Sequence, residues 1–231
     1  MSNKIKIPEV KVKLIHYTKL EDALNSVSHF IGIPLGIIAL FLCVRKSLEL
    51  NSKAAVTASI VYGLSIILLY GASAFYHAAK PGKLKLFLRV IDHSNIFLLI
   101  AGTATPYALV AFLPSHPVLG WVSVAFVWLC ALVGISLTVI NMEKFKVIQM
   151  VMYISIGWFA LFLIKPMLAI FSGLLRPGLT LLVVGGVVYT LGAIVYGIGS
   201  KHRYFHTIFH GFVLAGTMVH FLSIYRYVFA V

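Results

Sequence analysis

The chain reads as an all-α, polytopic membrane protein: a seven-transmembrane-helix bundle with its N-terminus cytoplasmic and its C-terminus outside. Three observations predict this. First, 61% of the 231 residues are hydrophobic and 11% charged, with a mean hydropathy of +1.00. Soluble domains average about 45–50% apolar and about 25% charged residues. Second, seven apolar segments of roughly 20–25 residues, each long enough for the hydrocarbon core of a bilayer, fill the chain between short polar turns. Third, Lys and Arg divide unequally between alternate turns. With the N-terminus inside, thirteen fall on the cytoplasmic side (Lys4, Lys6, Lys11, Lys13, Lys19, Lys80, Lys83, Lys85, Arg89, Lys144, Lys146, Lys201 and Arg203). Six fall outside (Arg45, Lys46, Lys53, Lys165, Arg176 and Arg226).

Residues 1–20 form a basic cytoplasmic tail, broken by Pro8 and without the apolar core of a signal peptide. Residues 21–231 form the seven-helix transmembrane domain. Its spans are expected at about 23–44, 54–78, 88–112, 117–140, 147–170, 178–200 and 204–229, separated by turn-rich pieces such as KPGKLK, LPSHP and NMEKFK. No soluble linker, low-complexity tract or internal repeat interrupts them. Cys43 and Cys130 each lie alone in an apolar run and read as small buried residues. Gly32 and Gly36 on one face, and Gly185-Gly186, suit close helix contacts, while Pro34, Pro106 and Pro166 sit mid-span where a kink opens space. The net charge of +13 is explained by basic loops facing anionic lipid headgroups rather than by a nucleic-acid surface.

An ionisable residue inside a span is costly and by default marks function. In the expected topology Asn25 and His29 open the first span, Ser73 and His77 close the second, Asp92 opens the third, and His206 and His210 open the seventh. All face the cytoplasmic side at similar depth. Residues four apart share a helix face, so His206 and His210 can present two ring nitrogens to one ion, and Ser73 and His77 point together. Three imidazoles with an open fourth position are the donor set of a catalytic zinc, although cobalt or iron would also suit. Asp92 reads as the one acid among the apolar segments; Glu9, Glu21, Asp22, Glu49 and Glu143 are assigned to tails and loops. Its expected task is to hold or deprotonate a water activated by the metal. His29, paired with Asn25 at helical spacing, is the rival ligand or a residue that supports the ligands. His16 and His116 read as loop residues and His202 as a headgroup-level one. His93 points about 100° away from Asp92 and reads as a packing or hydrogen-bonding partner, and His220 lies about 15 Å beyond His210.

The strings Asn25-Ser-Val-Ser-His29, Ser73-Ala-Phe-Tyr-His77, Arg89-Val-Ile-Asp92-His93, Ile100-Ala-Gly-Thr-Ala-Thr-Pro106 and His206-Thr-Ile-Phe-His210-Gly-Phe-Val-Leu, in that order, resemble the hemolysin III family of bacterial membrane proteins. That family belongs with the progestin and adipoQ receptors. The resemblance runs from about residue 20 to the C-terminus. It implies seven helices, a location in the bacterial inner (cytoplasmic) membrane, and a zinc ion (Zn2+) near the cytoplasmic face held by His77, His206 and His210. Ser73 and Asp92 match the family's serine and aspartate positions, and Asp22 fills its acidic position three before Asn25. Membrane lipids are the implied partners, and hydrolysis of lipid amide or ester bonds, ceramidase-like, is the implied activity. The alternatives are a non-enzymatic lipid sensor or regulator with structural zinc and, behind it, a cytolysin or a transporter.

Overall fold

A computed structural model describes residues 14–15, 17–199 and 202–231. His16, five residues of the charge count (Lys4, Lys6, Lys11, Lys13 and Lys201) and most of the 1–20 tail lie outside them. The described residues are helical, with no strand among them.

Helix α1 (Lys19–Phe30) opens with a capping box: Thr18 Oγ1 accepts from Glu21 N, and the Glu21 carboxylate accepts from Thr18 N at 2.9 Å. Turn residue Ile31 separates it from α2 (Gly32–Glu49). The break falls where Pro34 has no N–H to offer the carbonyl one turn earlier. Helix α3 (Lys53–Ala78) is capped by Ser52, and α4 (Lys83–Pro106) follows a short turn through Gly82. Immediately after Pro106 the backbone widens into a fully buried π-helical turn, Tyr107–Phe112, the local adjustment expected where a proline removes a donor. Helix α5 (Pro117–Gly157) comes next, then a 3-10 turn (Phe159–Leu163), α6 (Ile164–Ile170) with Pro166 in its first turn, α7 (Arg176–Gly199) and α8 (Phe205–Arg226). All three mid-span prolines thus sit at irregularities of the helical path.

Six helical runs are long and apolar enough to cross a membrane: Lys19–Glu49, Lys53–Ala78, Lys83–Phe112, Pro117–Ile170, Gly173–Gly199 and Phe205–Ala230. The sequence predicts seven. The difference lies in the fourth run, whose 54 residues contain both the 117–140 and the 147–170 segments. At Asn141 (φ −165°, ψ 87°) the backbone leaves the helix, and Asn141 Oδ1 accepts from Lys144 N at 3.0 Å. A side-chain oxygen bonded to the third amide onward is an N-cap, so a second helix begins there.

Helix packing relies on the absence of side chains at the glycines. A Cβ on Gly32 would stand 2.2 Å from the Tyr70 ring, and one on Gly185 would stand 2.1 Å from His220. Cys43 is buried, Cys130 half-buried, and both are free thiols. Across the bundle, Tyr107 Oη donates to Ser223 Oγ, which donates to Gly178 O, both at 2.7 Å. This chain of bonds ties the π-turn to α8 and α7.

Candidate metal centre

α1, the C-terminal end of α3 and the first turns of α4 and α8 meet at one end of the bundle. His77 Nε2 lies 3.2 Å from His206 Nε2, and His210 Nε2 lies 3.1 Å from the same atom. Among the described residues, His77, His206 and His210 are the one group of three or more possible ligands whose donor atoms converge, all within 4.8 Å of one another.

The outer ring nitrogens decide what those inner ones can do. His77 Nδ1 is 3.0 Å from Asp22 Oδ1, and Lys85 Nζ donates to Asp22 Oδ2 at 2.7 Å. A carboxylate paired with a lysine accepts, so His77 carries its proton on Nδ1. His210 Nδ1 is 3.1 Å from both Asn25 O and Ser28 Oγ; a carbonyl only accepts, so this proton is on Nδ1 as well. Both rings therefore aim Nε2 lone pairs at His206. One proton on His206 Nε2 can satisfy only one of them, whereas a cation satisfies all three. For tetrahedral zinc with Zn–N bonds of about 2.0–2.1 Å, adjacent ligand nitrogens stand about 3.3 Å apart. The 3.1–3.2 Å from His206 Nε2 to each of the other two matches that spacing, all three donor atoms lie within 4.8 Å of one another, and the three residues suit such an ion in donor chemistry and tautomer.

Around the cluster, Tyr17 stacks on His206 with ring centroids 5.1 Å apart; burial pushes its phenol well above the usual tyrosine range, so it stays neutral. His29, the rival ligand, stacks on His210 (centroids 3.6 Å, 12°) and meets the edge of Tyr70. Both of its ring nitrogens are buried without a hydrogen-bond partner, and it is not in the convergent group. It packs against His210 and stands outside the convergent group. Asn25 supports His210 through its backbone carbonyl, while its side-chain oxygen accepts from Thr207.

Ser73, Asp92, His206 and His210 line one cavity of about 960 Å³, at the upper end of the range typical of ligand pockets. It runs from Tyr17 and Glu143 inward to Ser123 and His220. Ser73 Oγ is buried and makes no hydrogen bond of normal geometry, with the Asp92 carboxyl as its polar neighbour. His220 Nε2 bonds Leu182 O at 3.1 Å, apart from the cluster as expected. His116 bonds the neighbouring Ser115 O at the surface, and His202 is exposed.

The structure corrects the assignment of Glu21, Asp22, Glu49 and Glu143 to tails and loops, since each lies within a helix. Asp22, placed by sequence among tail and loop acids, lies in the first turn of α1 and orients His77. Glu21, in the same turn, is 7% exposed and accepts from Tyr204 N at 3.0 Å, pinning the segment before α8. Glu143 belongs to the helical run of α5 and pairs with Arg89 at 2.9 Å. A signal for Asp22 was present: Thr18-x-x-Glu21 is a capping box, which starts the helix at Lys19 and puts Asp22 one turn before Asn25. Lys85 carried no such signal, because its partnership with Asp22 spans 63 residues.

The fold and the cluster define a multi-pass helical membrane protein with a largely buried three-histidine site, two of whose histidines line an internal cavity. Comparison with known proteins places it further. The family model described as haemolysin-III related matches residues 17–221, and the chain belongs to that family. It is 34% identical to the Hemolysin-3 homolog of Bacillus subtilis (strain 168) over 211 residues, covering 91% of this chain and 96% of the relative. Identity to Hemolysin-3 of Bacillus cereus is 34% over 220 residues, covering 95% and 97%. The human protein named monocyte to macrophage differentiation factor is 28% identical over 220 residues, covering 92% and 86%.

Proposed function

We propose that the protein is a zinc-dependent hydrolase of lipid amide or ester bonds in the bacterial cytoplasmic membrane. It crosses seven times, the Pro117–Ile170 run passing twice about Asn141, with the N-terminus and the histidine cluster on the cytoplasmic side. At 1.5 Å per residue a 54-residue helical run would extend about 80 Å, against a hydrocarbon core of about 30 Å. The internal N-cap supports the double crossing.

The observation that carries the enzymatic reading is the convergence of three Nε2 atoms, two of them deprotonated by their outer partners, beside a cavity also lined by Ser73 and Asp92. His77, His206 and His210 would hold a zinc ion, which when bound would supply Lewis-acid polarisation of a carbonyl and a water of lowered pKa. The protein's own groups do the rest. The cavity takes the acyl chain and excludes bulk water, Asp92 holds or deprotonates the attacking water, and Ser73 Oγ donates to the carbonyl oxygen as negative charge develops on it.

The test is elemental analysis of detergent-purified protein together with mass-spectrometric detection of fatty acid released from a broad panel of lipid amides and esters. One zinc per chain, lost in a His206→Ala, His210→Ala double variant, and release abolished by Asp92→Asn are expected. Stoichiometric zinc with no release from any lipid would sink the hydrolase.

One feature favours a second reading, in which the metal is a structural clamp in a lipid sensor. Asp22–His77 and Asn25–His210 tether α1 to both α3 and α8, so metal binding at those histidines locks three helices together. In that case Asp92→Asn leaves function intact.

A further inference from the structure

His93 adjoins Asp92 on α4, and both line the cavity. Their side chains keep 15% and 12% exposure. His93 Nδ1 lies 3.0 Å from Arg89 O; the carbonyl accepts, so the proton is on Nδ1 and the lone pair on Nε2. Both nitrogens of His29 and Nδ1 of His220 are sealed in protein without partners, whereas His93 Nε2 is not among the sealed atoms, makes no hydrogen bond among the described residues, and belongs to a residue that lines the cavity. Asp92 Oδ2 is 3.6 Å from His93 Nδ1, too long for a good hydrogen bond. Tyr153 Oη donates to His93 O at 3.1 Å and holds this turn of α4 against the second half of α5. An imidazole with a fixed tautomer, a carboxyl group beside it and an unpaired second nitrogen, on a residue that lines a substrate-sized cavity, has the arrangement of an acid–base shuttle.

We propose that His93 is a catalytic residue that carries the proton of the hydrolytic step. The inference rests on the hydrolase reading above. As the water oxygen bonds to the acyl carbon, Nε2 takes one of its protons. As the C–N bond breaks and its electron pair leaves with nitrogen, Nε2 returns that proton to the nitrogen. The products are a fatty acid and an amine, nothing is oxidised or reduced, and the ring ends neutral. In this step Asp92 holds the water, and His93 rather than Asp92 carries the proton.

The experiment compares wild type with His93→Gln on two substrates of the same fatty acid, a lipid amide and a p-nitrophenyl ester. The amine needs a proton to leave and the nitrophenolate does not. His93→Gln should slow the amide by about 10²–10⁴-fold and the activated ester at least tenfold less, with zinc per chain unchanged. Equal losses on both substrates, an unchanged amide rate, or loss of zinc from the variant would overturn the assignment.

A second measurement needs neither turnover nor a variant. Diethyl pyrocarbonate should modify His93 in wild type, saturating fatty acid should protect it, His116 should react regardless, and His29 and His220 should stay unmodified. A His93 that is unreactive, or reactive but unprotected, counts against the proposal. Wild type inactive on every lipid overturns the hydrolase reading and this one together, whereas active wild type with uniform losses in His93→Gln overturns this one alone.

Discussion

Asp22 links the histidine cluster to the scaffold through both of its carboxylate oxygens. Its two oxygens accept from His77 Nδ1 and Lys85 Nζ, at 3.0 and 2.7 Å. Asp22→Ala removes both contacts, with two separable consequences. The first is at the metal: the ring of His77 loses the group that fixes its tautomer and raises its basicity, and such losses weaken metal binding 10–100-fold, or about 1.4–2.7 kcal/mol. The second is in the scaffold. Lys85 is 4% exposed in its side chain and Asp22 24%, so the ammonium loses its partner in a setting that water reaches only from the aspartate side. Breaking a fully buried pair costs about 3–5 kcal/mol, and the partial exposure brings the expected loss of stability to about 2–3 kcal/mol.

The two effects are distinguished by Asp22→Ala, Lys85→Met, which removes the orphaned charge and restores most of the stability without restoring the acceptor for His77. Zinc affinity is measured by competition with a chromophoric chelator and stability by thermal unfolding in the same detergent. Recovered stability with zinc affinity still about 10–100-fold down is the expected result. Wild-type affinity in the double variant would refute the orienting role of Asp22.

Other changes follow from local geometry. Chelation of the metal should lower thermal stability, and restoring zinc to 1,000-fold above its Kd should regain about 4 kcal/mol, read as a shift of the unfolding transition. Gly32→Ala forces a methyl group against the Tyr70 ring and should cost about 1–3 kcal/mol in thermal unfolding. Gly71→Ala, with nothing within 4 Å of its added Cβ, should match wild type or exceed it. Tyr107→Phe removes the donor to Ser223 and should cost about 1 kcal/mol by the same assay.

Much of the architecture was legible in the chain because a bilayer leaves few solutions: apolar runs must be helical, and mid-span prolines must distort them. Hence the span positions and the irregularities near Pro34, Pro106 and Pro166. Hydropathy divides the fourth run into two segments, and the internal N-cap at Asn141 is the local chemistry that starts the second. The histidine set was legible too, since spacing of four joins His206 to His210 and the alternation of spans brings His77 to the same level. Asp22 was misplaced because an acid near a chain end looks like tail when composition is weighed ahead of the capping signal. His93 was read as a bonding partner, which its contact with Arg89 O bears out, but angular spacing on a helix does not reveal which directions open on a cavity.

By itself the sequence determined a helical membrane protein, its family resemblance and three histidines at a shared depth. These depend on local periodicity and on the cost of charge in hydrocarbon, both of which are written along the chain. Only the tertiary structure decided which nitrogen of each ring faces inward, that Asp22 and Lys85 stand behind His77, that His29 stacks on His210, and that His93 lines the same cavity as Asp92. Those facts depend on directions and contacts between helices dozens to nearly two hundred residues apart, which the packed bundle fixes and no local pattern encodes.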